Sequence, residues 1–245
     1  MKKIFIVCFC SLLLFACGEP SSQHHLIIGT SADYPPFEFY QDGEIVGFEA
    51  DLMRMIAKEL KKELVIKDMP FEGLIASLQS KRIDLGLSAL SQTVERSEKV
   101  DFSIPYHHSY TVMIVKADSP IETPQDLKGQ TVGVQQGSSY EAAIQQQWQA
   151  TIPDLHIRSL SKIPDLLQEF KCGRLAAIIM GSGEGKNLIT TNPSLKMIPV
   201  KDSEVHYAIA FPKGSPLVEG VNTMLKQWIA DGTLKKLENL WMVRS

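Results

Sequence analysis

Residues 83–103 read IDLGLSALSQTVERSEKVDFS, and the order of residue types in them decides the fold. Ile83 to Leu87 is a short apolar run, the pattern of a buried strand. It empties into a turn rich in small hydroxyl residues, and Arg96 follows a few residues later. A strand that ends in such a turn at a helix start presents several unpaired backbone N–H groups, which is an anion site in waiting. A guanidinium beside it can grip a carboxylate through two parallel hydrogen bonds. An ordinary capped helix with a solvated arginine reads equally well from this segment alone.

Outward from this stretch, strands and helices alternate. On its N-terminal side the pattern predicts a strand at 26–29, an amphipathic helix at 48–61 with Phe48, Leu52, Met55, Ile56 and Leu60 at helical spacing, a strand at 64–67 and a helix at 72–80. On its C-terminal side a long extended run, 110–116, leads through a turn-rich segment into a second such unit. Strands are predicted at 131–135, 156–159 and 176–180, with helices at 139–149 and 164–170. A further extended run, 206–211, and helices at 216–231 and 234–239 close the chain. Alternation of this kind argues for α/β architecture, with mainly parallel sheets covered on both faces. Two such units joined by two extended segments predict two lobes with a cleft between them, a usual place for a small ligand at strand ends.

Composition narrows the class. The chain has 245 residues, with 25 Lys and Arg against 28 Asp and Glu and no basic block, so nucleic acid is not the expected partner. Residues 1–17 pair a positive start, Lys2 and Lys3, with an apolar core too short for a confident transmembrane span. Ala16-Cys17 closes it in the manner of a bacterial lipoprotein signal, in which Cys17 is lipidated and becomes the new N-terminus. Phe15 departs from the small or β-branched residue usual there, and a plain secretory peptide cut nearby is the alternative. Either reading gives an exported chain, with 18–25 as a short tether. Cys172 is then the only cysteine outside the signal and its end, so no internal disulfide supports the fold. A core of roughly 220 residues must stand by itself.

The motifs IGTSADYPPFEF (28–39), VGFEADLM (46–53), RIDLGLSALSQTVERSEKVDFSIPY (82–106), LKGQTVGVQQGSSYE (127–141), CGRLAAII (172–179) and YAIAFPKGSP (207–216) are each weak alone. In this order and spacing the chain resembles the bacterial extracellular solute-binding proteins for polar amino acids, the receptors of amino-acid ABC transporters, and is similar to their arginine-binding members. The resemblance runs from Ile27 to Trp241. It implies a two-lobed type II periplasmic-binding-protein fold: lobe 1 at 26–105 plus 211–245, lobe 2 at 111–205, and a hinge at 106–110 and 206–210. It implies a monomer that takes a free amino acid, needs no cofactor and is read by a membrane permease.

The resemblance also implies site residues. Arg96 matches the arginine that clamps the ligand carboxylate, with Ala89 and Ser91 as backbone or hydroxyl donors to the same group. Tyr34 and Phe71 match the side chains that sandwich the ligand's aliphatic part. Ser31 sits where some binders of cationic amino acids carry an acid toward the side chain. Gln135 and Gln136 match readers of that side chain, and Ser138 and Ser139 match hydroxyls that complete the carboxylate shell. One position departs from the pattern. The acid usual after the second-lobe strand, which binds the ligand ammonium, is here Gly181. Glu184, one helical turn on, is the acid that can replace it if the glycines at 181, 183 and 185 permit unusual backbone angles. A solvent-facing glutamate at a helix start is the competing reading.

Other motifs carry less. The glycine turn lacks both Walker and dinucleotide spacing. The pairs His24-His25 and His107-His108 read as surface or hinge residues, since no partner falls at metal-ligand spacing. Asp33 reads as the cap of its own turn, and Cys172 as a small residue near a helix end. No catalytic triad or carboxylate pair is defensible. The rival classes are an exported cyclohexadienyl dehydratase on the same fold, with a cleft carboxylic acid as general acid, and a ligand sensor.

Overall fold

The computed structural model describes residues 24–242; the signal, Cys17 and most of the tether lie outside the described residues. In chain order the strands are β1 (His25–Thr30), β2 (Asp33–Tyr34), β3 (Glu38–Gln41), β4 (Glu44–Val46), β5 (Glu63–Asp68), β6 (Leu85–Gly86), β7 (Val100–Phe102), β8 (His107–Lys116), β9 (Thr131–Gln135), β10 (His156–Leu160), β11 (Ala177–Gly181), β12 (Leu195–Tyr207) and β13 (Ala210–Pro212). The α-helices are α1 (Phe48–Glu59), α2 (Leu74–Gln79), α3 (Val94–Lys99), α4 (Ser139–Ala143), α5 (Gln149–Thr151), α6 (Ile163–Lys171), α7 (Ser182–Thr191), α8 (Leu217–Ala230) and α9 (Thr233–Met242). A π-helical turn, Ile144–Trp148, makes α4 and α5 one continuous rod.

Two five-stranded sheets result, in the orders β5-β1-β6-β13-β7 and β10-β9-β11-β8-β12, each the centre of one lobe. The sheets are mixed rather than mainly parallel. In each, the first three strands run parallel, the fourth (β13 or β8) runs antiparallel to them, and the fifth (β7 or β12) pairs antiparallel with the fourth and so runs the same way as the first three. The reason is connectivity: β8 and β12 carry the chain between the lobes in opposite directions, so they pair antiparallel. Their register runs down to His107 opposite Tyr207. Beyond it, Tyr207 bridges to Ser91 of the first lobe. The meander β2-β3-β4 is a third, small sheet that the strand–helix reading does not contain.

Alternation along β8 shows how the second lobe is built. Val112 and Ile114 face one cluster, with Leu166, Phe170, Ile178 and Met180. Met113 and Val115 face another, with Leu127, Val132, Val134 and Ile144. Successive strand residues point to opposite faces, so a sheet covered on both sides needs both sets apolar. In the first lobe α1 buries Phe48, Leu52, Met53 and Ile56 against Leu26, Ile28 and Leu85. Acids at Glu49 and Asp51 in its first turn and Lys58 in its last suit the helix dipole.

Candidate functional site

The cleft is built from strand ends. The segment after β6 turns through Ala89, at φ +44°, into α3, whose N-cap Thr93 accepts from the Arg96 N–H at 3.2 Å. That cap fixes the first turn of α3, and Arg96 leaves it toward the opposite lobe. Its Nη1 donates to the Ser91 carbonyl at 2.8 Å and its Nη2 to the Gly137 carbonyl at 2.9 Å, across the cleft. Ser139 Oγ meets Ser91 Oγ at 3.0 Å beside it. The guanidinium stands 5.4 Å from the centre of the Phe71 ring, in cation–π range. Arg96 is buried, and the loss of water pushes its pKa down to about 10, so it stays charged at neutral pH. A buried cation beside two hydroxyls is a place for a carboxylate.

The second pole lies between Tyr34 and the end of β11. Tyr34 Oη accepts from the Gly181 N–H at 3.2 Å, and Tyr140 and Tyr207 join hydroxyls at 2.8 Å. Glu184, in the first turn of α7, is buried among them at 3% exposure, which removes the solvent-facing reading. A Cβ placed on Gly181 would fall 2.4 Å from Glu184 Oε2 and 2.3 Å from Tyr207 Oη. The Glu184 carboxyl therefore occupies the space a side chain at 181 would fill. The glycines work by this absence of bulk and not by unusual angles: Gly181 has φ −75°, and a Cβ at Gly183 or Gly185 would press on Phe37 or Val112.

Neither Glu184 oxygen reaches a donor in hydrogen-bonding geometry among the described residues, although the Tyr34 hydroxyl and the Glu184 N–H lie near enough to favour its charge slightly. Burial dominates and raises its pKa to about 8. Below it, Glu49 is raised to about 7 by burial, and Glu38 is raised well above the carboxylate range by burial and by Glu49.

The remaining expected residues fall as follows. Ala89 does not offer its N–H to the carboxylate pole: that donor goes to Glu49 Oε1 at 2.8 Å, a protein acid filling the role expected of the ligand. The Ser138 oxygen accepts from the Glu141 N–H as the cap of α4. Gln135 is buried, with Nε2 3.5 Å from the Ser161 carbonyl. Gln136 is exposed and pairs with the Ser161 hydroxyl at the rim. Ser31 is buried, its N–H on Ser88 Oγ and its hydroxyl on Asp33 Oδ1.

Asp33 does not cap its own turn. Its Oδ2 accepts from the Ile163 N–H at 3.1 Å and so caps α6 of the opposite lobe. Lys162, missed by the sequence reading, approaches Ser31, Asp33 and Asp68 from the same place. Its only sequence signal is a lysine where a helix start favours Ser, Thr, Asp or Asn. His107 is buried against Glu238, and His108 meets His206 where the lobes join. Cys172 ends α6 and is exposed. No described helix is long and apolar enough to cross a membrane. A cavity of about 460 Å³ around Leu167, Phe170, Leu188 and Leu195 holds none of these residues.

Two mixed sheets whose strand-end segments meet across a cleft, with a buried arginine on one wall and an acid on the other, define a two-lobed binding protein of the type II periplasmic class. The family model of the bacterial extracellular solute-binding proteins, family 3, matches residues 26–244, and the chain belongs to that family. It is 37% identical to the arginine-binding extracellular protein ArtP of Bacillus subtilis, over 98% of each chain. It is 34% identical to the L-cystine-binding protein TcyJ of Escherichia coli, over 88% of this chain and 82% of the other. Among solved structures, a mutant of ArgBP from T. maritima superposes with a TM-score of 0.83 at 36% identity, covering 90% of this chain and 96% of the other. AncCDT-1, an ancestral amino acid-binding protein described as a precursor of cyclohexadienyl dehydratase, superposes with a TM-score of 0.81 at 32% identity, covering 90% and 96%.

Proposed function

We propose that the chain captures a free amino acid, polar or basic, between its lobes and delivers it to the permease of an ABC importer. The observation that carries this is Arg96, a buried cation held by both lobes at a pole lined with Ser91 and Ser139. A ligand carboxylate would take up the guanidinium and the hydroxyls. Glu184 would take the ligand ammonium, in place of the acid missing at Gly181. Lobe 1 is residues 26–105 with 211–245, lobe 2 is 111–205, and 106–110 with 206–210 form the hinge. The exported chain acts as a monomer held at the membrane by lipid on Cys17. Thermal-shift screening of the twenty amino acids, then calorimetry on the hits, tests this through the stabilisation any specific ligand gives the folded state. Binding of one ligand per chain without turnover is the expected result, and no binding by any of them removes the reading.

A dehydratase is the second reading, favoured by one observation. A carboxyl with a pKa of about 8 is protonated at neutral pH, as a general acid must be. Incubation with prephenate and arogenate separates the two. Unchanged substrate is expected, and formation of the aromatic product would establish the enzyme.

A further inference from the structure

Neighbouring strand ends divide the cleft into three poles. The segments after β6 and β9 bring Ser91 and Arg96 to Gly137 and Ser139. Tyr34 and the end of β11 bring together the hydroxyl, Gly181 and Glu184. The third pole joins Ser31 after β1, Asp33 in β2 and Asp68 at the end of β5 to Lys162 in the segment after β10. An α-amino acid has three groups to place. Given the receptor reading above, on which this inference rests, carboxylate and ammonium take the first two poles and the side chain is left with the third.

We propose that Lys162 is the specificity-determining residue of that pole, turning away cationic side chains and favouring those that end in a hydrogen-bond acceptor. Its Nζ stands 3.3 Å from Ser31 Oγ, 3.5 Å from Asp68 Oδ1 and 3.9 Å from Asp33 Oδ2. It thus fills with a protein ammonium the place beside these acids where a cationic ligand group would sit. The acids are already engaged. Asp33 accepts from the Ser31 hydroxyl with Oδ1 and from the Ile163 N–H with Oδ2, and Asp68 Oδ1 also accepts from the Ala32 N–H at 3.0 Å. A second cation entering here meets a like charge and no free oxygen of Asp33. A carbonyl or carboxylate oxygen meets an ammonium with three donors, which among the described residues makes one hydrogen bond, to Ser31, and longer ion pairs to Asp68 and Asp33. The lysine is held at its base as well, because Asp33 caps the helix that begins at the next residue. Only a third of its side chain is exposed.

Calorimetry with L-glutamine and L-arginine as probes, on the whole mature chain, tests the assignment. The wild type is expected to bind glutamine at least tenfold tighter than arginine. Lys162→Met should move the ratio toward arginine tenfold or more, while Lys162→Arg keeps it. If Lys162→Met loses its circular-dichroism spectrum, Lys162→Gln is measured in its place against the same threshold. An unchanged ratio, or arginine bound more tightly by the wild type, overturns the role of Lys162. Failure of every free amino acid to bind is a different result and overturns the receptor reading beneath it.

Discussion

At the scale of single residues, Glu184 Oε2 and a side chain at 181 compete for one place. Gly181→Asp alone is therefore expected to lower the melting temperature and block binding, whereas Gly181→Asp with Glu184→Ala should recover both. A double variant no better than the single one would show that the two positions do not share a site. The raised pKa gives a second test. Glu184 holds its proton up to about pH 8, and an ammonium beside it favours the carboxylate. Binding of an α-amino acid below pH 8 should then expel a proton, with affinity falling by up to about tenfold per pH unit. Calorimetry in buffers of different ionisation enthalpy reads that proton. The deaminated analogue should release none, and equal release by both ligands would remove Glu184 from the ammonium pole. Arg96→Ala should cost about 2–5 kcal/mol of binding, the range for one partner removed from a buried charge pair. An unchanged dissociation constant in calorimetry would take Arg96 out of the site.

At the scale of elements, α9 is tied to the crossing strands by Glu238, which lies 3.2 Å from His107 and 2.6 Å from Lys235. The His107 bond, first, and Lys235 hold its pKa down at about 2, below the ordinary carboxylate value of 4.5. A depressed folded pKa contributes stability above the unfolded value and loses it as pH falls toward the folded one. Urea unfolding should find Glu238→Gln less stable than wild type at pH 6, with the gap closing between about pH 4.5 and pH 2. A gap independent of pH would assign the effect to packing. In α1, Leu52 is fully buried at the centre of the first-lobe core. Leu52→Ala should cost about 2–5 kcal/mol in the same measurement, through lost burial and the cavity left behind. A cost under 1 kcal/mol would mean that the sheet closes over the gap.

At the scale of the whole molecule, contacts across the cleft hold the two lobes together. Arg96 to Gly137, Ser139 to Ser91, Tyr34 to Gly181, Asp33 to Ile163 and Ser161 to Glu72 each join one sheet's loops to the other's. Contacts of this kind need the lobes close together, and with the hinge proposed at 106–110 and 206–210 small backbone-angle changes there would open them. Small-angle scattering should show a smaller radius of gyration with a bound amino acid than without. Equal radii under saturating ligand would argue against hinge closure as the working motion.

The sequence by itself determined the elements whose patterns are local. β9 stands at Thr131–Gln135 as its apolar run predicts, and α1 and α8 begin and end within two residues of their hydrophobic periodicity. The order of strands and helices was enough for two α/β lobes, because burial on both faces leaves few other arrangements for that order. The meander was not legible: β2, β3 and β4 have only two to four residues, too few for a period to show, and they owe their form to pairing. The apolar run at 83–87 did mark β6, of which only Leu85–Gly86 pair as strand. The mixed sheets were decided by the path of the chain between lobes, which no local pattern records. The tertiary structure alone decided that Glu184 turns inward, that the Ala89 N–H belongs to Glu49, and that Asp33 caps a helix 130 residues away beside Lys162. In each case the neighbour is distant in the chain: Tyr34 beside Glu184, α1 for the Ala89 N–H and α6 for Asp33. A side chain's charge state and its hydrogen bonds are set by what packs against it, and that is fixed only when the lobes meet.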